Sequence, residues 1–275
     1  MPALAPERIE SLYRAACLAE LDALKVGNVH AYAGGHRMET ADFVASAEVS
    51  APFLAAAGAR VGERVRGAVA ATRARVGQNT NLGILLLCAP LALAAERGVP
   101  AAAILDGLDA ADGEGVYAAI RIAAPGGLGE ADRHDVAGPA PPLREAMAEA
   151  ASRDSIARAY TSDYADLRRI GLPALASARE KGLAAPWATA AVHLAFLTGL
   201  PDSHIARKHG TERAESVRRE ALEAVGSLDL AQAPVDLLLA YDRRLKAAGL
   251  NPGTSADLTV ATLFLDALAH AGASL

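Results

Sequence analysis

Between Leu82 and Ala95 the chain carries no charged side chain, no amide and no hydroxyl. A stretch that is apolar all round cannot lie at a protein surface, so it reads as a helix enclosed by other helices. The expected helix runs from Leu82 to Arg97. Pro90 inside it is expected to kink it, because proline donates no N–H and crowds the preceding turn. A membrane span needs about 20 apolar residues, and this run is closed earlier by Glu96-Arg97-Gly98. The rest of the sequence must therefore be able to surround such a helix.

It is suited to that. Hydrophobic residues make up 52% of the chain but aromatics only 4%, so the apolar part is Ala and Leu, which favours close-packed helices over sheets. Periodicity predicts helices at Glu7–Leu24, Thr40–Ala57, Gly62–Val76, Pro100–Leu108 and Gly113–Ala123. It predicts further helices at 143–151, 155–170, 173–181, 186–198, 203–208, 212–225, 234–248 and 256–269. On Gly62–Val76, Arg64, Arg66, Arg73 and Arg75 are expected on the wet side. No period-2 segment persists. The expected fold is a compact all-α bundle of roughly a dozen helices. It is read as a single domain over residues 1–275, with two lobes joined around the loop 125–142 as an alternative. That loop is rich in Pro, Gly and ionisable residues, and long loops of this kind serve as binding loops or linkers.

A net charge of −5 disfavours a nucleic-acid partner. Cys17 and Cys88 sit in apolar helical patterns and read as buried thiols in a reducing compartment. The N-terminus has no signal-peptide pattern, and a cytoplasmic protein is expected.

Two polar stretches open apolar helices: Gly77-Gln78-Asn79-Thr80-Asn81 and Asn251-Pro252-Gly253-Thr254-Ser255-Ala256-Asp257. Helix starts have backbone N–H groups without intrahelical partners and a positive dipole end, so a small polar loop there can receive an anion. Asn79, Thr80 and Asn81 suit either helix capping or nucleotide binding. Lys25, ahead of Gly27-Asn28, can meet phosphate as a point charge or simply sit at a helix C-terminus. Glu39 and Asp42, three apart at a helix start, can hold Mg²⁺ through water or complement the helix dipole. His193, His204 and His209 lack zinc-site spacing. Asp202-Ser203-His204 is not evidence for a catalytic triad, which is assembled in space. No phosphate-binding P-loop pattern occurs. Arg153-Asp154-Ser155 starts a helix, with Asp154 or Ser155 as its cap.

Taken in order, several of these stretches resemble the triphosphoribosyl-dephospho-CoA synthase family. The pieces are Lys25-Val26-Gly27-Asn28-Val29, Asn79-Thr80-Asn81-Leu82-Gly83, Gly126-Gly127-Leu128-Gly129 with Asp135-Val136, 154–160, 202–210 and 251–258. The resemblance implies an all-helical transferase. In that family a ribose hydroxyl of dephospho-CoA attacks the ribose C1 of ATP, and adenine leaves while the triphosphate stays on the product. It implies ATP as substrate, Mg²⁺, and small-molecule partners, with no membrane; a homodimer is a candidate assembly. It also implies ATP-binding roles for Lys25, Asn28, Asn79, Thr80, Asn81, Gly253, Thr254 and Ser255. Catalytic carboxylates would come from Asp257, Glu39 and Asp42, the last two with the metal. The chain departs from the family's usual pattern in having Val26 after Lys25, and Asn81 and Leu82 after the Asn-Thr pair. These departures resemble a branch found in methanogens and methylotrophs. They keep open a different acceptor in one-carbon carrier coenzyme synthesis, or a non-catalytic nucleotide-binding protein.

Overall fold

The computed structural model describes residues 3–35, 38–125 and 136–273. Among these residues there are fourteen α-helices and no strand; two isolated bridges, His30–Ala33 and Gly35–Met38, are the only β pairing. The helices are α1 (Pro6–Asp22), α2 (Thr40–Leu54), α3 (Val61–Val76), α4 (Leu82–Arg97), α5 (Ala101–Asp106), α6 (Ala110–Ala123) and α7 (Leu143–Ala150). They continue as α8 (Ser155–Thr161), α9 (Leu172–Glu180), α10 (Ala185–Gly199), α11 (Ser203–His209), α12 (Thr211–Val225), α13 (Val235–Ala247) and α14 (Gly253–His270). The all-α expectation holds.

The chain divides into two units: Met1–Ala16, Asp42–Ala165 and Phe264–Leu275 form one, and Cys17–Ala41 with Asp166–Leu263 the other.

The first unit is built around α4, which runs through Pro90 and is buried at nearly every position from Leu82 to Ala95. α3, α5, α6 and α8 pack on it. α3 and α6 meet at glycines: a Cβ on Gly115 would stand 2.5 Å from the Gly62 backbone. Only hydrogen at that position lets the two helix backbones approach so closely. Asp112 fixes the same contact by accepting from the Gly62 N–H at 3.0 Å. Asp109 caps α6 by accepting from the Ala111 and Asp112 amides. This cap starts the helix three residues before the expected Gly113.

Two expectations fail in this unit. Arg64 is buried, unlike exposed Arg66, Arg73 and Arg75. Its guanidinium donates to the Leu54 carbonyl at 2.7 Å and the Ala59 carbonyl at 3.0 Å, and it pairs with Glu96. It thus places a cation on the orphan Leu54 carbonyl at the end of α2, where the helix dipole favours one, and ties that end to the Ala59 carbonyl of the following loop. The predicted helix 155–170 also stops early, at Thr161. Asp163 and Tyr164 take left-handed φ of 48° and 57°, which ends the helix and lets the Tyr164 hydroxyl reach the Leu87 carbonyl at 2.9 Å.

The second unit packs an apolar cluster of Leu24, Val26, Leu197, Ile205, Val217 and Leu238 with their neighbours on α10, α12 and α13. A π-helical turn, Leu167–Gly171, leads into α9. Cys17 and Cys88 are both buried, as expected.

Candidate functional site

In the second unit, the segment following α1 and the start of α14 come together. Lys25 is fully buried and pairs with Glu20, and its ammonium also donates to Asn28 Oδ1 at 3.2 Å. Asn28 Nδ2 in turn donates to Asn251 Oδ1 at 2.8 Å. Two stretches more than two hundred residues apart are thus joined side chain to side chain. Gly27, at a left-handed φ of 80°, makes the turn, and its Cα faces Pro252 and Leu245 so closely that a Cβ would stand 2.7 Å from Pro252. Burial pushes the Lys25 ammonium down and the Glu20 carboxyl up from their ordinary values; their mutual attraction and hydrogen bond work against both shifts. Lys25 is therefore a buried anchor of the turn and not a solvent-facing charge.

The first turn of α14 is tied down as well. Asp202, the N-cap of α11, accepts from the His204 and Ile205 amides. Its other oxygen accepts from the Ser255 N–H at 2.8 Å and the Ser255 hydroxyl at 2.9 Å. The His204 N–H donates to Thr254 Oγ1 at 3.1 Å. One buried carboxylate thus serves two helix starts, the position an anion would take on either. Burial pushes its pKa up, and the Ser255, Ile205 and His204 donors pull it back in part. Gly253 and Asp257 are partly exposed, whereas Thr254 and Ser255 are buried. Glu39 is exposed, with its carboxylate beside Gly34.

Beneath this turn lies a polar group that no sequence pattern singles out. Asp242 on α13 accepts from the Gly27 N–H at 2.8 Å, lies 3.4 Å from His30 Nε2, and pairs with Lys246 at 3.0 Å. Burial pushes the Asp242 carboxyl up, but the His30 and Lys246 contacts and the Gly27 amide outweigh it and hold the group below the usual range. His193 on α10 is fully buried, with Nε2 3.4 Å from the Val26 carbonyl. Burial, then the nearby Lys25 charge, lowers its pKa to about 3, so the ring is neutral.

In the first unit, the Asn79–Asn81 stretch splits between capping and burial. Asn79 Oδ1 accepts from the Leu82 N–H at 3.2 Å, which is the capping role. Asn81 turns inward and donates to Ser50 Oγ at 3.3 Å and Thr72 Oγ1 at 3.1 Å. Thr80 meets Ser46 at 2.5 Å, and Gln78 donates to half-buried Asp42 at 3.3 Å. Asp154 caps α8 through the Ile156 and Ala157 amides, and Arg158 donates to Ser155. His36 and the Gly126–Gly129 and Asp135 positions lie outside the described residues. Among the described residues, no group of three or more His, Cys, Asp or Glu is arranged to hold a metal, and no helix is long and apolar enough to cross a membrane.

Comparison with known proteins agrees with the sequence resemblance. The curated 2-(5''-triphosphoribosyl)-3'-dephosphocoenzyme-A synthase of Klebsiella pneumoniae is 30% identical over 107 residues, 38% of this chain and 38% of that protein. A crystal structure from Archaeoglobus fulgidus, assigned to triphosphoribosyl-dephospho-CoA synthase, superposes with a TM-score of 0.63 at 26% identity. That match covers 84% of this chain and 100% of the other. The family model described as ATP:dephospho-CoA triphosphoribosyl transferase (CitG) matches residues 6–274. With a match of that extent, the chain belongs to the ATP:dephospho-CoA triphosphoribosyl transferase family.

Proposed function

We propose that the protein transfers the triphosphoribosyl group of ATP to dephospho-CoA and releases adenine. The observation that carries this is the family match over residues 6–274, supported by the two relatives. In the reaction a ribose hydroxyl of dephospho-CoA forms a bond to C1 of the ATP ribose as the bond from C1 to adenine breaks. The hydroxyl gives up its proton. Adenine departs with the electron pair of its bond to C1 and takes up a proton to leave as the neutral base, with the triphosphate retained on the transferred ribose. The chemistry asks for groups that hold phosphates and for carboxylates near a ribose that gains positive charge, and it needs no covalent nucleophile from the protein.

In the second unit, Asn28, Gly253 and Thr254 are assigned to ATP, with Lys25 supplying positive potential beneath the turn. Ser255, whose N–H and hydroxyl are taken by Asp202, is assigned to holding that helix start, and Asp257 to the ribose centre. In the first unit, Asn79, Thr80 and Asn81 are assigned to the nucleotide. Glu39 and Asp42 are each candidate carboxylates for catalysis and for Mg²⁺. The donor chemistry fits that ion: both are hard oxygen ligands with access to solvent, and Mg²⁺ commonly takes one or two carboxylates together with substrate phosphates. Bound at either carboxylate, it would neutralise phosphate charge. The protein is assigned to the cytoplasm, and a homodimer is the assembly to test by sedimentation.

Dephospho-CoA is preferred over a one-carbon carrier acceptor because the family and both relatives carry the dephospho-CoA name. The test is incubation with ATP, Mg²⁺ and dephospho-CoA, followed by chromatography and mass spectrometry. Free adenine with a mass-shifted CoA product is expected. No adenine, but heat protection by ATP, would mean that another molecule is the acceptor. Neither result would leave only a non-catalytic protein of this fold.

A further inference from the structure

Asp242 and Lys246 sit one turn apart on α13, outside every stretch that carries the family resemblance. Asp242 is 1% exposed, yet it is surrounded by charge and hydrogen-bond donors. One oxygen takes the Gly27 N–H and faces His30 Nε2; the other faces Lys246. His30, itself fully buried, accepts the Tyr32 N–H on Nδ1 at 3.2 Å, which places its proton on Nε2, toward Asp242. Lys246 adds a bond to the Ala33 carbonyl at 3.3 Å, and its methylenes lie against Gly35, where a Cβ would stand 2.8 Å from the chain. The two side chains of α13 thus touch the segment at Gly27, His30, Ala33 and Gly35. Lys25 and Asn28 lie at the head of that segment.

Buried ion clusters of this kind gain little net stability over well-packed apolar residues of the same size. What they do supply is direction: each donor and acceptor has one place to be. Asp242 holds the Gly27 amide on one side of the turn whose neighbours, Lys25 and Asn28, are bonded on the other side to Glu20 and Asn251. A turn pinned from both sides presents Asn28 and the Gly27–Asn28 backbone in a single geometry.

We propose that Asp242 and Lys246, acting through Gly27 and His30, are positioning residues that hold the Lys25–Asn28 turn in its ATP-binding shape. The proposal rests on the assignment of Lys25 and Asn28 to ATP. His30 is a joint in this device: both ring nitrogens face structural partners.

The test compares the wild type with Asp242→Asn, Lys246→Arg and the double variant Asp242→Asn/Lys246→Met. Calorimetry with ATP, steady-state kinetics and thermal denaturation are run on each. Asp242→Asn leaves the Lys246 charge without its partner, so its thermal midpoint should fall; the double variant removes that charge and should recover the midpoint. ATP affinity is the discriminating readout. Both variants should bind ATP roughly tenfold more weakly, with KM for ATP rising in step while kcat at saturation stays close to wild type. Lys246→Arg, which keeps the cation, should retain wild-type affinity. A double variant that recovers both its midpoint and wild-type ATP affinity would overturn the proposal and leave the pair purely structural. A wild type that neither binds ATP nor releases adenine would overturn the functional assignment, and the proposal with it. ATP binding without adenine release still decides the proposal, because affinity is read without turnover.

Discussion

The Tyr160 hydroxyl donates a 2.7 Å hydrogen bond to the carbonyl of Leu86, four residues before Pro90. In an unbroken helix that carbonyl receives the N–H of residue 90, and proline has none. A fully buried tyrosine on α8 therefore supplies the donor that the proline withholds. This allows α4 to continue through Pro90 in the middle of the first unit.

Tyr160→Phe should destabilise the protein by about 1–3 kcal/mol, because it leaves a buried carbonyl without a donor. Adding Pro90→Ala returns an amide to that carbonyl, so the double variant should regain much of the loss. Chemical denaturation of the four proteins in this cycle measures the coupling directly. Strict additivity would show that Tyr160 and Pro90 are unrelated.

Arg64→Leu should cost about 3–5 kcal/mol, since it removes the cation paired with Glu96 and leaves the Leu54 and Ala59 carbonyls without their donor at once. Arg64→Lys should recover little of this, because an ammonium cannot reach three acceptors with a fixed fork. Denaturation midpoints would settle both, and a neutral Arg64→Leu would mean that these contacts carry no net stability.

Asn81→Ala and Asp257→Ala should both abolish adenine release. Their stabilities should differ: Asn81 is 5% exposed and bonded to Ser50 and Thr72, so its loss should cost about 1–2 kcal/mol. Asp257 is partly exposed, and its replacement should leave the thermal midpoint near wild type. Two variants that stay folded and turn over normally would remove both residues from the reaction.

His193 should make the protein sensitive to acid. In the folded state the ring stays neutral down to about 3, whereas the unfolded chain protonates it near its ordinary 6.5. Between those values the unfolded state binds the extra proton, so stability is full above 6.5 and falls as the pH drops toward 3. The slope from this one group is about 1.4 kcal/mol per pH unit. His193→Leu should flatten the profile between about pH 4 and pH 6.5 by one proton's worth. An unchanged slope would show that another group drives the loss.

Helix positions were largely legible in the sequence because the signals behind them are local. The three-four spacing of apolar residues, the Asp154 and Asp202 caps and the left-handed Gly77 and Gly98 all act within a turn or two of their own position. The Asp109 cap is as local, yet the expected helix start at Gly113 overlooks it. The all-α class and the buried α4 follow from the same short-range chemistry. The family, too, was legible, as an ordered set of short stretches along one chain.

What the sequence left undecided is where each polar side chain points, because that depends on partners tens to hundreds of residues away. Arg64 has the spacing of a surface arginine, and only the ends of α2 and α4 make it a buried clamp. Lys25 reads as a phosphate-meeting charge or a helix C-terminal cation until Glu20 and Asn28 enclose it. Ser255 reads as an open anion receptor until Asp202 occupies it. Asp242 and Lys246 look like an ordinary one-turn pair on an exposed helix, and it is the tertiary structure that sets them under Gly27 and His30. Burial is the physical reason: a polar group taken from water must find a specific partner, and the partners available are fixed by packing, which no local pattern encodes.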